Sequence, residues 1–495
     1  MTTPALASAP ARRRAASRAW RPDRTSVAPA AAVAGAAGAG VVAAATLGAP
    51  SIAYPITGLA VAATALAAVR PRPTRTHLLA ATVAVLLLAV ATVRDNGILV
   101  AACVVAAWTV ASVALLDVRT WTGVALAPTA AARALPRVGG WVRRGRARRR
   151  AAPGGGTRYG RAAAVAALTA LLVALFGALF AGADPEFGRL LSGAVPTVRV
   201  DAPVGRILLG LLIAGATLAV TYLRRRPPRL DALAPAAGRP VPRWEWAVPL
   251  AALDVLFGVF VAVQARVLFG GDGHVRGTAD LTYANYARQG FWQLCAVSVL
   301  TLIVIAVAVR RIDRRAARDR MLARLLLGAL CLLSLVVVAS ALHRMSLYQS
   351  AFGFTRLRLG VSVVELWLGG VFLLLLLAGI RMRGGRLPRL VLGSGVAALL
   401  AFAALNPDGY IAERNVDRYQ RTGAIDIGYL RGLSTDAVPA LDRLPEPVRS
   451  CALIGTSVPA DPWYQVNAAR SAARQILRER PVDRNAVCAG PDATW

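Results

Sequence analysis

The sequence predicts an all-α, polytopic transmembrane helix bundle of about eleven spans, amino terminus in and carboxyl terminus out, with a small helical extracytoplasmic C-terminal domain. Three observations carry this. Hydrophobic residues make up 56% of the 495. They gather in eleven apolar runs, at 30–47, 52–69, 77–93, 97–116, 162–182, 204–223, 247–269, 291–309, 322–341, 359–380 and 390–406, most of them long enough to cross a ~30 Å hydrocarbon core at ~1.5 Å per residue. The net charge of +33 belongs wholly to residues 1–406, because residues 407–495 hold 11 Arg against 11 Asp and Glu.

In chain order, residues 1–29 form a cytoplasmic Arg-rich tail and residues 30–406 the bundle. With the amino terminus cytoplasmic, the inside loops carry 36 Arg and the outside loops 8. Basic residues resist translocation, so the alternation is a positive-inside pattern that fixes the orientation. The first two runs are rich in Ala and Gly, which contribute little insertion energy, and 390–406 is short. Omitting the first two together preserves every later orientation. So does reading the first as a signal peptide with Arg12, Arg13 and Arg14 as its charged end. The cytoplasmic loop 117–161 carries Arg143, Arg144, Arg146, Arg148, Arg149 and Arg150 before Pro153 and three glycines. It is read as a solvated segment lying against anionic headgroups, with no nucleic acid as partner.

Composition excludes whole classes of chemistry. All 58 basic residues are Arg, so no Lys exists to complete a P-loop, form a Schiff base or hold a kinase nucleotide. No cytoplasmic loop exceeds the 45 residues of 117–161, too few for a soluble catalytic domain. His77, His274 and His343 stand at no ligand spacing and no HExxH or CxxC occurs, so neither a metal site nor a cofactor is expected. Gly393-Ser394-Gly395 lies inside an apolar run and reads as close helix packing, as do Gly35, Gly38 and Gly40. The all-Arg usage and Ala richness point to a high-GC bacterium and hence to its plasma membrane.

Residues 407–495 read as helical. Asn406-Pro407 makes a cap and first turn for a helix through Tyr410, Ile411 and Tyr419 that stops at Gly423. Ser434 opens a short helix ending near Arg443, and Asp461-Pro462 leads Trp463-Tyr464 into a helix running to about Arg480. Cys103, Cys295 and Cys331 fall in apolar runs, where a thiol acts as a small apolar side chain. Cys451 and Cys488 fall in the exported tail, an oxidising setting in which a disulfide is expected; two free thiols or a bare metal pair are the alternatives. The tail's even charge favours a docking module for a protein partner.

Two carboxylates fall inside apolar runs, Asp254 and Glu365. A charge there is costly unless paired, hydrated or protonated, so each is a candidate functional residue. Asp254 lies ~10 Å from the inner boundary and Glu365 ~9 Å from the outer one, by rise per residue, so the two form no dyad. Arg358, two turns before Glu365, is positioned to neutralise it. The outer loops 270–290 and 342–358 bring Tyr286, Arg288, His343, Arg344, Arg356 and Arg358 to the membrane surface. Guanidinium forks beside Tyr and His donors suit phosphate or carboxylate headgroups, and aromatics at that depth equally fit an interfacial belt.

These same residues carry a family likeness. Leu253-Asp254-x-Leu256-Phe257 with Phe260 and Gln264 is one motif, and the run from Leu281 through Tyr283, Tyr286 and Arg288 to Phe291-Trp292 another. With them go His343-Arg344-Met345 and Tyr348, then Asn415 and Arg418, then Tyr429-Leu430 through Leu433-Ser434, Asp436 and Pro439. Together, over about 245–480, they resemble the bacterial membrane proteins grouped as domain-of-unknown-function 4173, related to 4153. The resemblance implies a multi-pass protein with an extracytoplasmic tail and no established reaction. The resemblance implies that relatives often carry Glu where this chain has Asn285, which puts any proton-carrying role there in doubt.

Three functions follow as expectations. The first is a non-catalytic membrane component binding an anionic lipid or envelope intermediate, with membrane lipids and a tail-docked protein as partners. The second is a proton-coupled secondary transporter using Asp254 or Glu365, although no inverted repeat is visible. The third is a polyprenyl-phosphate-dependent extracytoplasmic transferase. It would need Asp184 and Glu186 in place of acids in the first outer loop, since 48–51 has none.

Overall fold

The computed structural model describes residues 20, 28–68, 73–151, 169, 203–235, 241–269, 280–312, 316–381 and 385–488, with backbone alone for 149–151, 203, 265–269, 280–290 and 380–381. Every regular element among the described residues is helical. The principal helices are α1 (Ala30–Thr46), α2 (Ala53–Ala67), α3 (Arg75–Val93), α4 (Gly97–Leu115), α5 (Ala130–Ala151), α6 (Pro203–Arg225), α7 (Arg243–Phe269), α8 (Asp280–Arg311), α9 (Ala317–Phe352), α10 (Arg356–Arg381), α11 (Leu387–Leu405), α12 (Pro407–Thr422) and α13 (Ala468–Glu479). Eight of them, α3, α4 and α6 to α11, are long and apolar enough to cross a membrane, and α1 and α2 are shorter apolar helices. The chain is an all-α, multi-pass integral membrane protein. Span 162–182 apart from residue 169, loop 270–279, His274, Asp184 and Glu186 lie outside the described residues.

Local chemistry sets the helix ends. The Thr74 hydroxyl accepts the His77 N–H at the start of α3, and Asn96 Oδ1 accepts the Leu99 N–H at the start of α4. Each satisfies a donor that the first turn cannot bond internally.

The contacts divide the chain into two units. The first comprises Met1–Val118, Thr122–Leu233 and Ala460–Ala468. Here α1 and α6 meet backbone to backbone: a Cβ on Gly40 would stand 2.6 Å from the Gly210 carbonyl oxygen, and one on Gly210 would stand 2.7 Å from that of Gly40. Gly35 presses on the Thr64 side chain, whereas Gly38 faces open space. Small residues at such a crossing let helices gain van der Waals contact that lipid cannot supply. Arg224, buried, donates to the Ala65 and Leu66 carbonyls at the end of α2, both at 2.6 Å, so the cation sits where the helix dipole is negative.

The predicted 461–480 helix is shorter than expected. Residues Trp463–Gln465 make only a 3-10 turn, Val466 is extended, and α13 begins at Ala468. The break has a cause in the side-chain and backbone bonds at that point. The Val466 carbonyl accepts the Ile52 N–H at 3.2 Å, and the Asn467 amide donates to the Ala91 and Arg94 carbonyls at 2.9 and 3.0 Å.

In the second unit, Arg119–Trp121, Ala234–Pro459 and Ala469–Trp495, α9 packs against α7, α8 and α10, and α10 against α11. Phe291, Leu330, Ala341 and Phe372 are fully buried at its centre, while Val255, Leu256, Val259 and Val263 form an exposed apolar face of α7 suited to lipid. Gly393-Ser394-Gly395 is a packing element. A Cβ on Gly395 would touch the Trp367 ring at 3.4 Å, and the Trp367 indole donates to Ser394 Oγ at 3.1 Å.

The tail has its own core of Val416, Ile425, Leu430, Val438, Leu441 and Leu453. Asn406 caps α12 through the Gly409 N–H, Pro407 occupies its first turn and Gly423 (φ 70°) ends it, as the sequence predicts. Cys451 and Cys488 are disulfide-bonded, Cα–Cα 5.6 Å. The buried Arg449 donates to Asp442 Oδ1 at 2.8 Å, Glu446 Oε1 at 3.1 Å and the Arg480 carbonyl at 2.7 Å.

Candidate functional site

α9 ends at Phe352 and α10 begins at Arg356, so residues 353–355 reverse the chain. Gly353 makes this possible. Its φ of 78° and ψ of 172° lie where a side chain is strained, and a Cβ would collide with Asn415 Oδ1. Thr355 Oγ1 then accepts the Arg358 N–H at 3.3 Å and starts α10.

Arg358 folds back over the turn. Nη1 donates to the Phe352 and Gly353 carbonyls at 3.1 and 2.6 Å, and Nη2 to the Tyr348 hydroxyl at 3.1 Å. The guanidinium carbon stands 4.3 Å from the Tyr348 ring centre. The cation therefore compensates the negative end of α9 and stacks on an aromatic face.

The tail grips the same turn. Asn415 accepts the Phe354 N–H at 3.2 Å and donates to the Phe354 carbonyl at 3.0 Å. Arg418 donates to the Ala351 carbonyl at 2.8 Å. The Arg356 N–H donates to the Tyr429 hydroxyl at 2.6 Å, while its guanidinium pairs bidentately with Asp408, Nε to Oδ1 at 2.8 Å. Asp408 also accepts the Ser434 N–H at 2.9 Å.

Asp408 is wholly buried. Burial alone would raise its pKa, but the Arg356 fork and the Ser434 donors outweigh it and hold the carboxyl below its ordinary range. Tyr429 moves the other way, raised by burial against the opposing pull of the Arg356 N–H.

Beside this turn, between α8, α9 and α10, lies a cleft of about 250 Å³. Phe291, Trp292, Met345, Tyr348, Leu357 and Val361 wall it, and Thr355 and Arg358 supply its polar groups. An apolar enclosure with one fixed cation suits an amphiphilic anion. Past the cleft, the Gln349 amide donates to Ser362 Oγ at 3.3 Å and the Ser298 hydroxyl to Glu365 Oε1 at 2.8 Å.

The predicted site residues separate under this geometry. Arg358 lines the cleft; Arg356 is turned to Asp408; His343 and Arg344 lie on α9 away from the cleft wall. Tyr286 and Arg288 fall in the first turns of α8, with side chains outside the described residues. Arg358 does not neutralise Glu365, because the carbonyls ending α9 and the Tyr348 hydroxyl occupy its guanidinium; Glu365 pairs with Ser298 instead. Among the described residues, the carboxyl oxygens of Asp254, both sealed from solvent, find no hydrogen-bond partner.

Asp408 escaped the sequence reading. Its signal was its place on the stripe of Ile411, Ala412, Asn415 and Val416, where a buried carboxylate demands a cation. Ser298, one hydroxyl in an apolar run, gave no signal of its own.

One family model, Domain of unknown function (DUF4153), matches residues 81–444. The match extends upstream of the region that carries the likeness seen in the sequence and takes in the turn, the cleft and all of the tail residues that grip the turn. No curated protein and no solved structure matches the chain.

Proposed function

The chain belongs to the DUF4153 family, and from that premise we propose that it is a non-catalytic membrane component. It binds an anionic amphiphile, a lipid or a lipid-linked envelope intermediate, in the cleft and conveys occupancy to a protein partner through its tail. The observation that supports this reading is that one turn serves both places: Thr355 and Arg358 line the cleft, while Phe354 and Arg356 are held by Asn415, Tyr429 and Asp408. A ligand pulling on Arg358 would thus load the tail's bonds. The arginine distribution supports a location of cleft and tail at the outer face of a bacterial plasma membrane, where lipids would be the first partners.

The test is photocrosslinking in phosphatidylcholine nanodiscs with a single-chain alkyl phosphate carrying a diazirine beside its headgroup. Label is expected in peptides around Trp292 and 345–361 and should be displaced by phosphatidylglycerol. Label confined to the exposed Val255 to Val263 face of α7 overturns the reading.

A second reading, proton-coupled transport, draws support from Asp254, whose carboxyl, without a hydrogen-bond partner among the described residues, is costly as an anion in a membrane bundle. Loss of pH-dependent solute flux in Asp254→Asn would favour it, and unchanged flux would remove it.

A further inference from the structure

We infer that Glu365 is a proton-binding site buried beyond the cleft, and that its proton and an anion at Arg358 retain each other. The second half rests on the cleft reading above; the first does not. The placement comes from two helical stripes. On α10, Arg358, Ser362 and Glu365 follow one another at i, i+4 and i+7, and on α8 Phe291, Cys295 and Ser298 do the same, so both faces lead from the cleft to one carboxyl. Two turns along α10 put that carboxyl about 10 Å below Arg358.

The carboxyl is enclosed. Glu365 is 1% exposed, as is Ser298, whose hydroxyl donates to it. The Cys295 thiol of α8 stands beside it as a further neutral, titratable neighbour. Among the described residues no ion pair meets the carboxyl, and Arg358 on its own helix is bound to the end of α9. Two neutral neighbours do not compensate a carboxylate inside a membrane bundle. They also offer too few oxygens for a hard metal ion. A proton is the ligand that fits.

Linkage follows from distance. A carboxylate ~10 Å from an anion held at Arg358 weakens that anion's binding roughly 10- to 20-fold at an effective dielectric of ~20. By reciprocity, bound anion strengthens proton retention by the same factor.

The experiment is infrared difference spectroscopy of the full-length protein in phosphatidylcholine nanodiscs across mildly acidic to mildly alkaline pH. Wild type, Glu365→Gln and Ser298→Ala are compared, each with and without a single-chain alkyl sulfonate, whose charge is constant over that range. A protonated-carboxyl band present at neutral pH and absent from Glu365→Gln is expected. In Ser298→Ala, which leaves the carboxyl in place but removes a donor to its charged form, the band should persist to higher pH. The sulfonate should shift its disappearance upward by roughly one pH unit and bind Glu365→Gln without pH dependence. A carboxylate at neutral pH in both wild type and Ser298→Ala overturns the proton site whether or not the sulfonate binds. A proton-loaded Glu365 whose titration the sulfonate leaves unmoved, although it binds, overturns the linkage. Failure of the sulfonate to bind at all counts against the cleft reading and the linkage that rests on it, and leaves the proton site standing.

Discussion

Replacing Arg356 by alanine strips the fully buried Asp408 of its cation. The pair is bidentate, and the Asp408 side chain is 0% exposed against 33% for Arg356. Removing one partner of a buried pair costs about 3–5 kcal/mol. Water entering along the vacated, one-third-exposed path lowers that to about 2–3 kcal/mol. The cost falls on the local opening that separates turn from tail, because the Ser434 N–H is bonded to Asp408 and the N–H at position 356 to Tyr429. Amide hydrogen exchange reads that opening directly. Both amides should exchange about 30- to 150-fold faster in the variant, at ~1.4 kcal/mol per tenfold. The Leu330 amide at the middle of α9 should not change. Exchange at 434 and 356 within about twofold of wild type would refute the idea that the ion pair holds turn to tail.

Four further outcomes follow. The pKa of Asp408 is depressed in the folded protein, so its stabilisation is complete above the ordinary carboxylate value of ~3.9 and is lost as pH falls through the lower folded value. Exchange at Ser434 should accelerate in that acid window, and Asp408→Asn should abolish the acceleration while being leakier at neutral pH. Gly353→Ala, at φ 78° and against Asn415, should cost about 1–3 kcal/mol in the same turn, seen as faster exchange at Phe354. Cys451→Ser with Cys488→Ser releases a 37-residue separation and should lower tail stability by about 2–4 kcal/mol, measured as earlier proteolysis of 407–488; maleimide labelling of the intact protein at these two positions without reductant would contradict the bond. Gly210→Leu should force α1 from α6 and lower stability by about 1–3 kcal/mol or more, read as an earlier thermal aggregation midpoint in detergent, whereas Gly38→Leu, facing open space, should be neutral.

The helices were legible because the bilayer imposes a demand that hydropathy meets run by run, and capping chemistry marked their ends at Asn406, Pro407 and Gly423. Within the site, sequence could name the groups but not pair them. Arg356 and Arg358 are two residues apart on one helix start, so they point in different directions, one to Asp408 and one to the α9 carbonyls. Nothing local distinguishes which faces a cleft. Glu365 was visible as an anomaly in an apolar run, yet its partner Ser298 lies 67 positions away and looks like any small helical residue. Of the residues quoted for the family likeness, Asn415, Arg418 and Tyr429 converge on one turn while Ser434 holds the Asp408 that pairs with Arg356, and only the fold reveals that. The predicted helix from Asp461 failed for a related reason. Asn467 donates instead to carbonyls at the end of α3, those of Ala91 and Arg94, 376 and 373 positions earlier.

Native mass spectrometry of detergent-purified protein reports whether the cleft holds an anionic amphiphile through Arg358. Wild type should retain an anionic lipid adduct that Arg358→Gln loses and that Trp292→Ala, which opens a wall without touching the cation, weakens. Identical lipid adducts in all three preparations would contradict it.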